Sequence, residues 1–319
     1  MNNMKYRVIF FGSSQFSLYA LNDLYANDQY ELVAVVSQPD KPVGRKQTIT
    51  PTPVSLWAQE HKIELIAATS WKKIDPAIGE NINVARLKEL KPDFGVLVYY
   101  GRILPQTVID AFPKGIVNTH PSLLPKYRGP APGQMAILKG ETESGVSIML
   151  LEAGQDTGPV LAQEKFEVAV NEIPDTYYEK GFKLGTVLMM KVLPDYLKGT
   201  HLPVQQVNGD ATNTPLLSRD NGKIDWSQGI EQIERMVRAF TPWPGTWTEV
   251  WEDYEGQIHF PDEIRGKLGL NLHGRENWDG VARKRMKILT AFIQDKALVL
   301  DEVQIEGEQK TSFELLKIV

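Results

Sequence analysis

Apolar residues along the first two hundred positions fall in short runs, and between them hydrophobic positions recur at helical intervals. Tyr6–Phe11 (YRVIFF) reads as a buried strand closed by Gly12-Ser13-Ser14, and a helical pattern then runs from Phe16 through Leu18, Leu21 and Leu24. Glu31–Val36 is a second strand, followed by the Pro- and Gly-punctuated loop SQPDKPVGRKQTITP. Thr52-Pro53 supplies an N-cap and a proline at the first helical position, and Val54, Trp57 and Ala58 then line one face. Glu64–Ala67, Phe94–Val98 and Gly115–Thr119 read as further strands, with a helix over Ile82–Leu90. Val146–Leu151 and Val160–Val168 continue the sheet, and a long helix spans about Asp175–Leu197. This alternation predicts an α/β fold with a doubly wound, mainly parallel sheet.

The pattern changes after a polar, turn-rich stretch at Gly199–Asn213, which predicts a division into residues 1–206 and 207–319. Beyond it lie an amphipathic helix at Ile230–Phe240, stopped by PWPG, and strands at Met286–Ile293 and Ala297–Ile305. A smaller β-rich domain is expected there, an open barrel of OB-like type.

Composition narrows the class. At 319 residues the chain exceeds what one core usually fills. It contains no cysteine, which excludes disulfides, a thiolate nucleophile and Cys-ligated zinc, and fits a reducing compartment. No apolar stretch approaches the ~18 residues of a membrane span, and the opening segment lacks a signal-peptide core, so a cytoplasmic protein without membrane association is expected. The net charge of −5 gives no global attraction to nucleic acid. The part from Asn208 onward is itself acidic, with 14 basic against 19 acidic residues, so any nucleic-acid contact must rest on local patches.

In open α/β sheets, ligands bind beyond the carboxyl ends of the strands. Asn118 and His120 stand at such an end, one residue apart. An imidazole can exchange a proton near neutral pH, and an Asn amide can donate to a developing oxyanion. Asp156, 36 positions past His120 in the loop EAGQDTGP, offers a carboxylate to orient the imidazole. Spacing alone leaves the alternative open that these residues merely close turns. Ser122 lies in no G-x-S-x-G elbow, the five His show no metal-ligand spacing, and Gly12-Ser13-Ser14 carries neither dinucleotide nor P-loop fingerprints. No metal is expected.

The run NTHPSLLPKYRGPAP at Asn118–Pro132, with AILKGETESGVSIM and GQDTGPVLAQ after it, strongly resembles the folate-dependent formyltransferase family. The resemblance implies a Rossmann-like domain whose catalytic trio, matched through N-x-H-x-S-L-L-P … D-x-G, is Asn118, His120 and Asp156. It also implies a folate pocket at Tyr100, Gly101, Arg102, Ile103 and Leu104 and at Ser122, Leu123, Leu124 and Pro125. SQPDKPVGRKQTITPTPV at Ser37–Val54, RAFTPWPGTW at Arg238–Trp247 and the C-terminal VLDEVQIEGEQKTSFELL resemble the branch of the family that acts on charged tRNA. That branch implies formyl transfer from 10-formyltetrahydrofolate to the amino group of methionyl-initiator tRNA, by a monomer, with Lys41, Arg45 and Lys46 meeting the tRNA. Two alternatives are a formyltransferase acting on an amino sugar nucleotide and a non-catalytic α/β binding module; the loop at Ser37–Val54 argues against the first and the intact trio against the second. Departures from the family pattern are Ser13-Ser14, Ser144, Gln309 and the stretch Trp251–Arg283. A basic cluster at Arg283, Lys284, Arg285 and Lys287 is a second place for tRNA phosphates, or a solvated strand face.

Overall fold

Val8, Ile9, Phe10 and Phe11 are wholly buried, as expected of a strand covered on both faces, and they form the centre of β1 (Tyr6–Gly12). The computed structural model describes residues 5–43, 46–270 and 281–316. Around β1 are built β2 (Tyr30–Ser37), β5 (Leu65–Ala67), β6 (Phe94–Val98), β7 (Ile116–His120), β8 (Glu143–Leu150) and β9 (Val160–Glu167). They make one seven-stranded sheet in the order β5-β2-β1-β6-β7-β8-β9. The first five strands are parallel; β8 and β9 turn antiparallel, with His120 opposite Ser147. From β1 the chain first winds outward through β2 and β5, then returns to β6 on the other side. The switch point therefore lies at the carboxyl ends of β1 and β6.

The helices are α1 (Ser17–Ala26), α2 (Pro53–Glu60), α3 (Ile82–Glu89), α4 (Gln106–Ile109), α5 (Pro132–Lys139) and α6 (Pro174–Lys198). Thr52 caps α2 by accepting from the Ser55 amide, and Asn81 caps α3 by accepting from Asn83 and Val84; each cap contributes about 1 kcal/mol. Phe16 stacks on Phe182 of α6 at a centroid distance of 5.9 Å, which ties the start of α1 to the long helix.

The loop after β2 is not structureless. It holds a small antiparallel hairpin, β3 (Lys41–Val43) against β4 (Thr48–Thr50). All three β4 residues are exposed, so no burial pattern announces the strand.

The chain divides into two compact units. One comprises Met1–Pro132, Glu143–Glu167 and Tyr178–Thr214; the other comprises Gly133–Thr142, Val168–Tyr177 and Pro215–Val319. The second unit contains α7 (Ile230–Ala239), β10 (Thr246–Glu252), β11 (Ile258–His259), α8 (Asp262–Lys267), β12 (Ala282–Ile288), β13 (Ala291–Gln294), β14 (Ala297–Leu300), β15 (Glu302–Ile305) and β16 (Thr311–Ser312). Five of these strands form an antiparallel sheet, β11-β10-β12-β15-β16. Its core gathers Trp226, Ile233, Val237, Val250, Met286, Val303 and Ile305. The pattern that predicts single strands at Met286–Ile293 and Ala297–Ile305 corresponds to two pairs of short ones. β12 pairs with β15 and β13 with β14, and the hairpin breaks at Leu289-Thr290 opposite Asp301. Among the described residues no helix is long and apolar enough to cross a membrane.

Candidate active site

Asn118 and His120 occupy alternate positions of β7, so both side chains leave the same face of the sheet. Both are buried, at 5% exposure. His120 Nε2 lies 3.0 Å from the Tyr127 carbonyl oxygen. A carbonyl only accepts, so Nε2 carries a hydrogen and Nδ1 is left to face the third member. That member is Asp156, whose Oδ2 stands 3.7 Å from Nδ1. The same Oδ2 accepts from the Gly129 amide at 2.7 Å. The structure thus brings His120 and Asp156 together from β7 and the β8–β9 loop, with Asn118 beside them on the strand.

Glycines shape this loop. A Cβ on Gly158 would fall 1.9 Å from the Leu150 carbonyl oxygen, so the D-x-G spacing reflects a lack of room. Asp156 itself has φ of 51°, in the left-handed region.

The stretch after β6 divides by role. Tyr100 is wholly buried, its hydroxyl accepts from Trp71 Nε1 at 3.2 Å, and burial pushes the phenol up from its ordinary value. Its carbonyl accepts from Gln38 Nε2 at 2.7 Å and from Ser13 Oγ at 3.3 Å, which links the ends of β1, β2 and β6 at the switch point. Gly101 has φ of 74°, and a Cβ there would meet Gln38 Nε2 at 2.6 Å. Arg102 donates to the carbonyls of Ala68 and Thr69, so its guanidinium staples the chain. Leu104 is core, whereas Ile103 is 81% exposed. That exposure leaves an apolar surface at a strand end beside β7.

Ser122–Pro125 forms a turn pinned to the antiparallel half of the sheet. Ser122 Oγ donates to the Lys126 carbonyl, Ser147 Oγ donates to the Ser122 carbonyl, and Gln163 Nε2 donates to the Leu124 carbonyl. Leu123 lies over Gly145, where any Cβ would approach its side chain to 2.4 Å. Pro125 follows a cis peptide bond.

Lys41 and Lys46 are exposed on the β3–β4 hairpin, and Lys41 Nζ donates to Gln38 Oε1 at 2.6 Å. Arg45 lies outside the described residues. The basic cluster of β12 is partly neutralised. Arg283 pairs with Glu249, Lys284 pairs with Glu252 and Glu308, and Arg285 lies over the Trp247 ring at 4.2 Å. Two residues that the sequence pattern does not single out stand behind the Asp156 loop: Gln206 donates to it, and Arg128 donates to Gln206.

The formyl transferase family model matches residues 4–193, and the model of the formyl transferase C-terminal domain matches residues 216–316, across the stretch that departs from the family pattern. The chain belongs to the formyl transferase family. A methionyl-tRNA formyltransferase of Roseiflexus castenholzii is 42% identical over 306 residues, covering 96% of this chain and 93% of the relative. One from Chloroflexus aurantiacus is 41% identical over 242 residues, 76% of each chain. Among solved structures, an N-formyltransferase of Helicobacter canadensis, in complex with folinic acid and dTDP-3-aminofucose, aligns with a TM-score of 0.59 at 20% identity, over 92% of this chain and 89% of that one. At that identity the likeness shows the fold of the formyl transferase family member, not its substrate.

Proposed function

We infer that the chain transfers a formyl group to the amino group of methionyl-initiator tRNA, as a methionyl-tRNA formyltransferase serving translation initiation. The observation that carries this reading is the likeness, at 42% identity over nearly the full length, to a relative bearing that name. The site chemistry agrees with it. Formyl transfer from 10-formyltetrahydrofolate passes through a tetrahedral adduct with a negative oxygen and ends with protonation of the leaving nitrogen. Asn118 is suited to donate its amide to that oxygen, and His120 to supply a compensating positive charge and a proton. Asp156 Oδ2, 3.7 Å from Nδ1, is placed to face the imidazolium as it forms. The exposed Ile103 and the segments Tyr100–Leu104 and Ser122–Pro125, at the carboxyl ends of β6 and β7, would receive the folate. In this reading the chain is a cytoplasmic monomer, and residues 207–319 capture tRNA.

The test offers the purified protein radiolabelled 10-formyltetrahydrofolate with charged initiator tRNA, and separately with a dTDP-linked amino sugar. Label on the methionyl-tRNA alone is expected. Label on the sugar nucleotide alone would move the chain to the other branch of the family, and label on neither would remove the enzymatic reading.

The hairpin after β2 gives an independent prediction. If Lys41, Arg45 and Lys46 meet acceptor-stem phosphates, the triple alanine variant raises the KM for charged tRNA several-fold. The logarithmic salt slope of tRNA binding flattens by about 0.7–0.9 for each phosphate no longer neutralised. The KM for the formyl donor stays within twofold. Titrating tRNA at two salt concentrations decides it: equal affinities and equal slopes would return these charges to a purely solvated role.

A further inference from the structure

Asp156 is held in place by a residue fifty positions away. Its left-handed backbone is costly for a residue other than glycine, so the surrounding chain must impose it. Gly129 fixes the carboxylate, but the backbone is fixed by Gln206. Gln206 Nε2 donates to the Asp156 carbonyl at 2.8 Å and to the Gly158 carbonyl at 2.7 Å. Its Oε1 accepts from Arg128 Nε at 3.0 Å and Nη2 at 2.8 Å. The amide cannot be turned over, because a guanidinium only donates and the two carbonyls only accept.

Arg128 is itself immobilised. It is 6% exposed, its Nη2 also donates to Asn208 Oδ1, its amide donates to the Thr212 carbonyl, and its carbonyl accepts from the Thr214 amide. Gly129, which grips the Asp156 carboxylate, is the next residue along. One element, Arg128-Gly129, therefore reaches Asp156 twice: through its own amide to the carboxylate, and through Gln206 to the backbone.

We propose that Gln206, backed by Arg128, is a positioning residue of the reaction, which keeps Asp156 in the left-handed conformation that presents its carboxylate to His120 Nδ1. The proposal rests on the assignment of Asp156 to the reaction made above. Without the two bonds from Gln206, Asp156 can relax toward ordinary backbone angles, which swings the carboxylate away from a separation already 3.7 Å long. Substrate-binding segments after β6 and in the β3–β4 hairpin are untouched, so the effect falls on turnover and not on affinity.

Two substitutions separate the functions of the amide. Gln206→Glu keeps an acceptor for Arg128 but sets a carboxylate against two carbonyl oxygens. Gln206→Met keeps the side-chain length and removes every bond. Single-turnover formylation of charged tRNA is expected to slow about 10- to 100-fold in both, the scale set by an ångström of misplacement. KM values should stay within twofold and melting temperatures within a few degrees of the parent. The same Gln206→Glu change is then placed on Asp156→Asn. A residue acting through Asp156 costs less than twofold more in that background, whereas a general structural role slows both backgrounds equally. A parental rate for Gln206→Glu beside a slow Asp156→Asn overturns the proposal and leaves the Asp156 assignment standing. A parental rate for Asp156→Asn overturns that assignment instead. Should Gln206→Met fail to fold, Gln206→Glu with its Arg128 tie carries the comparison, and equal slowing in both backgrounds overturns the proposal.

Discussion

His120→Ala is expected to lower formyl transfer about 10²- to 10⁴-fold, the contribution of a positioned acid–base group. Asn118→Ala is expected to lower it on the order of 10²- to 10³-fold, as for loss of one oxyanion donor. Both side chains leave one face of β7, Asn118 from its middle and His120 from its last residue, and neither belongs to the apolar core, so the melting temperature is expected to move far less than the rate. His120 does hold one structural hydrogen bond, to the Tyr127 carbonyl, and its removal costs about 1 kcal/mol. Rate and melting curve measured on the same preparation separate the two effects. Folded variants that retain near-parental turnover would remove both residues from the chemistry.

Gly158→Ala is the second large effect, and its origin is purely steric. The methyl group would stand 1.9 Å from the Leu150 carbonyl oxygen, which belongs to backbone and cannot rotate aside. Leu150 is anchored there because its amide donates to the Pro159 carbonyl at 2.9 Å. Overpacking of this kind costs about 1–3 kcal/mol, which at this size corresponds to a fall in Tm of roughly 2–10 °C. The displaced loop carries Asp156 with it, so turnover falls at least tenfold as well. Gly209→Ala, where a Cβ meets nothing within 4 Å, serves as the control. If Gly158→Ala melts and turns over like that control, the packing account of the D-x-G spacing is wrong.

Much of the first unit is legible in the chain because β1, β2 and β6 are largely buried on both faces and so appear as apolar runs, whereas β7, equally buried, reads IVNTH and is marked by its polar motif. Strand direction is not legible in the same way. Hydrophobic periodicity is blind to it, and the reversal at β8 and β9 emerges only from pairing, as with His120 opposite Ser147. The exposed β4 escapes for the opposite reason, having no buried face to pattern. In the second unit the apolar pattern continues past Leu289 while the strand pairing is interrupted at Leu289-Thr290, so one apparent strand becomes two. Asn118, His120 and Asp156 stand out through short local motifs. Gln206 does not, since a polar residue in a turn-rich stretch has no periodicity, and its partners lie 48 to 78 positions away.

The order of the seven strands also settles what can happen at the margins of the sheet. At one margin β5 offers only three residues. At the other, β9 leaves Glu164, Lys165 and Glu167 exposed, and Val160 at its start is already bridged to Val204. A foreign strand seeking to extend the sheet would meet a template too short on one side and too charged on the other. The sheet ends itself, and two chains meeting edge to edge have little backbone to share.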